Sequence, residues 1–183
     1  MSMSTPIRLC ILNIYLGCVL LSSHRAWSMD DSAPFEARPA TLACIINAAN
    51  RQHVPANILL AIGSLEGGKN AQWVENNNGS HDLGYFQINT IHWQQHRGTF
   101  TQDSGITPQQ VASDGCYNAE LAAWLLRRAL NATPQQAYWT QVANYHSRTP
   151  RHNLNYQRKL IPLAQRWGQW LQQQYAQSAV EYR

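Results

Sequence analysis

The chain has 183 residues, of which 44% are apolar and 13% charged, and its formal charge is +4. This length supports one domain with a proper core and leaves little room for two. Lysines and arginines are scattered and never form a run of five or more, which excludes a nucleic-acid footprint.

The first element is an apolar run, Leu9 to Leu21, interrupted by Asn13, preceded by Arg8 and followed by a polar patch ending Ala26-Trp27-Ser28. This order reads as an export signal over residues 1–28, cleaved before Met29. The run is 13 residues long, whereas a spanning helix needs about 20, so no stable membrane span is expected after cleavage. Gly17-Cys18 offers an alternative, lipidation at Cys18, although Tyr15 and Leu16 fit that signal poorly. Removing the segment takes away Arg8 and Arg25 and leaves a nearly neutral body of 12 basic and 10 acidic residues. It also removes Cys10 and Cys18, leaving Cys44 and Cys116. In an oxidising compartment such a pair is expected to be a disulfide, with two buried thiols as the alternative. A bridge closing some 70 residues would contribute up to about 4 kcal/mol by chain entropy.

Residues 29–40 hold Asp30, Asp31, Pro34, Glu36 and Pro39 and read as a linker or draped terminus, with the domain beginning near Thr41. Leu42, Ile45, Ile46 and Ala49 fall at helical spacing behind a Thr41 cap. A second helix starts at Pro55, runs through Ile58, Leu59, Ile62 and Leu65, and stops at Gly67-Gly68, which makes Glu66 its last residue. Trp73 to Asn89 contains the turn signal Asn76-Asn77-Asn78-Gly79-Ser80 between short apolar segments, and a hairpin or ordered loop is expected. A polar stretch precedes the clearest helix, Cys116 to Leu130, with Leu121, Trp124, Leu125 and Ala129 on one face. Pro134 opens a helix ending near Ser147, and Asn155 to Gln165 reads as a shorter helix interrupted by Pro162. Residues 166–183 form a Gln-rich amphipathic tail with Trp167, Trp170, Leu171 and Tyr175 on one face, either a packing helix or a docking surface. The pattern is mainly α. There is no internal repeat and no His/Cys/carboxylate set at metal-ligand spacing, so neither metal nor cofactor is expected.

Glu66 is the first candidate for chemistry. At a helix C-terminus the unsatisfied carbonyls disfavour an ionised carboxylate, and walls made by Leu65, Tyr85 and Phe86 would push its pKa the same way, as a general acid requires. Taken alone, a Glu before two glycines reads first as the polar end of an exposed helix.

Its surroundings carry more. Ile58 through Gly68, then Asn78-Gly79-Ser80-His81-Asp82-Leu83-Gly84-Tyr85-Phe86-Gln87-Ile88-Asn89, and later Val142-Ala143-Asn144-Tyr145-His146-Ser147, together resemble the soluble-lytic-transglycosylase (SLT) domain. Gly115-Cys116-Tyr117-Asn118 and Cys44 are similar to its small export-accessory members, and the resemblance covers roughly residues 42–160 in the expected order. It implies a lysozyme-like single domain over residues 41–165 and non-hydrolytic cleavage of peptidoglycan between N-acetylmuramic acid and N-acetylglucosamine. It also implies a periplasmic location and, as partners, glycan strands and a secretion, pilus or conjugation apparatus.

By the same resemblance Glu66 is the acid/base, Tyr145 lies beside it and can hydrogen-bond its carboxyl, and Gln87 binds sugar amides or hydroxyls. Tyr156 is a further cleft candidate. Tyr85 and Phe86 are candidates for sugar contact or, equally, core aromatics. Asp82 is the candidate second carboxylate, which across the cleft would make the enzyme a hydrolytic lysozyme, or else braces the Asn-rich loop. The sequence departs from the family in having Gly67 where Ser is usual, Asn144 for Ala and His146 for Asn. A noncatalytic wall-binding protein on the same scaffold is the competing reading; intact Glu66, Gln87 and Tyr145 favour the enzyme.

Overall fold

Helices dominate the computed structural model, which describes residues 37–94, 99–100 and 104–181, with side chains through residue 174. The export segment and its cleavage site lie outside the described residues. Helix α1 (Leu42–Arg51) begins as expected on Thr41, whose Oγ1 accepts from the Cys44 amide at 3.2 Å, and it buries Ile45, Ala48 and Ala49. Helix α2 (Ala56–Glu66) follows Pro55 and is buried without interruption from Ile58 to Gly63, because neighbours cover it on several sides. At Gly63 even a Cβ would press into the rings of Tyr85 and Phe86.

Three short antiparallel strands follow, β1 (Trp73–Glu75), β2 (His81–Leu83) and β3 (Ile88–Asn89), in that spatial order. The turn between β1 and β2 is where the asparagine run placed it. The Asn76 amide donates to Ser80 O at 2.8 Å, Asn78 Oδ1 accepts from the Ser80 amide at 3.0 Å, and Gly79 takes φ +75°. The register sets Val74 opposite Asp82, and Asp82 opposite Asn89.

Helix α3 (Pro108–Ser113) occupies the stretch that reads only as polar. It has Thr107 as cap, accepting from the Gln110 amide at 3.2 Å, and Pro108 in its first turn. Helix α4 (Gly115–Ala132) starts on Asp114, whose Oδ1 accepts from the Cys116 and Tyr117 amides at 3.1 Å each. Asp114 also pairs with Arg38. The Arg38 amide donates to Ser113 O at 2.9 Å and the Gly115 amide to Arg38 O at 2.6 Å. The stretch read as linker therefore joins the folded body from Arg38, and Gly115 has no room for a Cβ against the Pro39 and Ala40 backbone. A disulfide joins Cys44 to Cys116, with Cα atoms 5.4 Å apart, and binds α1 to α4.

Helix α5 (Tyr138–Ala143) is shorter than the Pro134–Ser147 helix expected. Thr133 to Gln136 close a turn of their own, and past Ala143 the chain tightens into three-residue hydrogen-bonded turns, Tyr145 to Val142 and His146 to Ala143. The larger correction is helix α6 (Pro150–Glu181), one helix of 32 residues that runs straight through Pro162. The expected shorter helix and the tail are thus parts of one element. A proline inside a helix costs about 3 kcal/mol. Here its ring lies on the exposed side, while Tyr156, Leu160 and Ala164 are buried against α2. That packing outweighs the local penalty. Among the described residues no helix is long and apolar enough to cross a membrane.

Candidate active site

Helix α2 ends where its sequence says it should. Gly67 adopts φ +62°, the left-handed conformation that glycine takes without penalty, and its amide donates to Gly63 O at 3.1 Å. No atom lies within 4 Å of where a Gly67 Cβ would be, so backbone conformation rather than crowding explains the glycine. Gly68 is the opposite case: a Cβ there would overlap Gly84 O and the Gln87 amide. The two glycines leave Glu66 at the lip of the helix, over a cavity of about 440 Å³ whose lining includes Asp82, Gln87, Asn144, Tyr145 and His146.

Tyr156, from α6, donates its hydroxyl to Glu66 Oε1 at 2.6 Å. Burial raises the Glu66 pKa to about 7, the Tyr156 bond works against that rise, and the charge of Asp82 adds to it. Desolvation is the leading cause, whereas the sequence suggests the helix-terminus effect first.

Tyr145 is beside the acid but does not bond it. Its hydroxyl donates to Phe86 O at 3.1 Å, and burial together with the charges of Glu66 and Asp82 holds its pKa well above the usual phenol value. The phenol on Glu66 is Tyr156, a residue that reads from sequence only as a cleft candidate. The ring of Phe86 is 0% exposed and belongs to the core, which removes it as a sugar contact. Tyr85 is half-buried, edge-on to Phe86 at 5.2 Å, and lines neither cavity at Glu66. Gln87 does line the cleft, at φ +50°, with its amide nitrogen donating to Gly84 O at 2.8 Å. Asp82 lines it as well, and one of its oxygens accepts from Asn89 Nδ2 at 2.6 Å.

His146 lies flat on Tyr156, with ring centroids 4.6 Å apart and planes 3° from parallel. Burial lowers its pKa; His152 and Lys159 act in the same direction, and Asp82 opposes them.

Two buried asparagines that the sequence reading did not single out for the site hold its walls. Asn118 accepts from the Phe86 amide at 2.7 Å and donates to Leu83 O and Val111 O at 2.9 and 3.0 Å, which clamps the strand β2 turn to α4. Asn153 turns its amide nitrogen to Thr140 O, Asn144 Oδ1 and Ser147 O, each at 3.0 Å, which fixes the loop that carries His146. The available signal was an amide on an otherwise apolar helix face, since Asn118 lies three residues before Leu121 and seven before Leu125.

Comparison with known proteins identifies the family. The family model described as Transglycosylase SLT domain matches residues 43–159. Protein IpgF of Shigella flexneri and Protein IpgF of Shigella sonnei are each 32% identical over 107 residues, covering 58% of this chain. The chain spans 66% of the length of these curated relatives. The mainly helical, lysozyme-like fold expected from the motifs is the one found. With the match extending from α1 into α6, through every element that supplies the cleft, the chain belongs to the transglycosylase SLT-domain family.

Proposed function

We propose that this chain is a lytic transglycosylase that cleaves the β-1,4 bond between N-acetylmuramic acid and N-acetylglucosamine with Glu66 as its acid and base. The observation that carries the reading is a carboxyl held to about pH 7 by burial, braced by a phenol and facing a cleft wide enough for a sugar. Glu66 gives its proton to the glycosidic oxygen as the bond to C1 breaks, and the muramyl acetamido oxygen or an oxocarbenium carries the positive charge. The resulting carboxylate then takes the proton of the C6 hydroxyl, whose oxygen bonds C1. The product end is 1,6-anhydro, Glu66 is protonated again, and no water is consumed.

In this reading Tyr156 orients the carboxyl, Gln87 binds sugar amides or hydroxyls, and Tyr145 keeps the Phe86 carbonyl and the cleft floor in place. Asp82 sustains a second reading, hydrolysis, because it lines the same cleft. Its bond from Asn89 favours the bracing role instead. Residues 1–28 would direct the chain to the periplasm, and a small single domain suits local opening of the wall for a secretion, pilus or conjugation apparatus. The family resemblance supports that role.

Mature protein incubated with peptidoglycan should release 1,6-anhydromuropeptides, identified by mass, and Glu66→Gln should lower the rate by about 10²- to 10⁴-fold. Reducing-end products would establish hydrolysis, and no product from the wild-type chain would leave the scaffold role.

A further inference from the structure

A second cavity, of about 310 Å³, also borders Glu66. It shares Glu66 and His146 with the larger cleft, and α6 adds His152, Asn155, Tyr156 and Lys159. These four stand at i, i+3, i+4 and i+7, a spacing that lines them along one face of the helix. The stripe is rich in donors: an ammonium, an imidazole and a carboxamide surround the phenol already committed to Glu66. Asp82 lies in the other cavity and not in this one. Among the described residues the salt bridges are Arg38–Asp114 and Arg51–Glu120, so Lys159 pairs with no carboxylate among them.

An open cavity with an unpaired ammonium and further N–H donors suits an anionic oxygen ligand. The glycan backbone of peptidoglycan is built of neutral N-acetylated sugars. Its negative charge sits on the lactyl arm of the muramyl residue: on the carboxylates of the attached peptide or, once the peptide is removed, on the lactyl carboxylate itself. Glu66 must reach the bond at C1 of that ring, and the arm leaves from C3 of the same ring, two bonds from C1.

We infer that the His152–Lys159 cavity binds a carboxylate on the lactyl arm next to the scissile bond, so that strand charge is part of what the cleft selects. This rests on reading Glu66 as the acid that works on peptidoglycan.

The test is binding of soluble glycan strands to the full mature chain carrying Glu66→Gln, which does not cleave them. Three strands are compared: with peptide stems, stripped by an amidase to the free lactyl carboxylate, and stripped with that carboxylate converted to a neutral methylamide. At least one charged strand should bind roughly fivefold or more tighter than the neutral one. Adding Lys159→Gln should erase that difference, His152→Gln should reduce it, and Lys159→Arg should keep it. The charged strand that shows the preference identifies the source of the carboxylate. Equal affinity for all three strands, or equal weakening of all three by Lys159→Gln, would overturn the inference. Cleavage by the chain with Glu66 intact is measured in parallel: its absence removes the general-acid reading, while the binding comparison still decides the carboxylate site.

Discussion

Glu66 holds its proton because desolvation outweighs the hydrogen bond from Tyr156. As a general acid it should lose activity as pH rises through about 7. The Tyr156 bond favours the ionised form, so Tyr156→Phe raises the carboxyl's pKa further and shifts the alkaline limb of the pH–rate profile upward, in addition to lowering the rate. A limb that stays in place would separate Tyr156 from the titration. The same shift governs stability. Between the ordinary value of 4.5 and about 7, the folded chain binds more protons at Glu66 than the unfolded chain, so stability falls as pH rises through this window. Glu66→Gln should therefore stabilise the fold near pH 8 by about 1 to 3 kcal/mol, a gain that fades toward pH 4.5 in denaturant titrations. The position of Glu66 is legible in Gly67-Gly68. The identity of its phenol is not, because two tyrosines are at hand and only the packing of α6 against α2 decides between Tyr145 and Tyr156.

Among the elements, the helices legible in sequence are those whose signals are local. Thr41, Pro55 and Gly67 mark the ends of α1 and α2, and Asn76 to Ser80 mark the turn. Helix α6 is longer than its sequence suggests because proline is a strong local signal, whereas the burial of Tyr156, Leu160 and Ala164 that overrides it is a tertiary fact. Asn118 marks the same boundary between local and tertiary information. It is 0% exposed and satisfies three backbone groups from two other segments. Asn118→Ala leaves those groups unpaired and should cost about 2 to 4 kcal/mol in chemical denaturation. A cost below about 1 kcal/mol would mean that water replaces the amide.

For the molecule as a whole, the one covalent tie between distant segments, among the described residues, is Cys44–Cys116, 72 residues apart in sequence. The cysteine count and an expected export route are enough to pair them, and the pairing is found. Replacing both cysteines by serine should lower stability by up to about 4 kcal/mol. Neither cysteine lines a cavity at Glu66, so cleavage by the folded fraction should persist. Thiol titration of the unfolded, unreduced protein beginning at Met29 should find no free thiol.

The carboxyl and its phenol belong to different helices, and this gives the 2.6 Å bond between them a second meaning. Asn57 of α2 donates to Ala164 O of α6 at 3.1 Å, a Cβ at Gly168 would just touch Asn57, and Trp167 donates to Ser64 Oγ at 2.9 Å. Proton affinity at Glu66 is thus a gauge of how closely two helices lie. A wedge driven between them far from the cleft, such as a bulkier residue at 168, would register as a drift in the titration of the acid before the chain lost its shape.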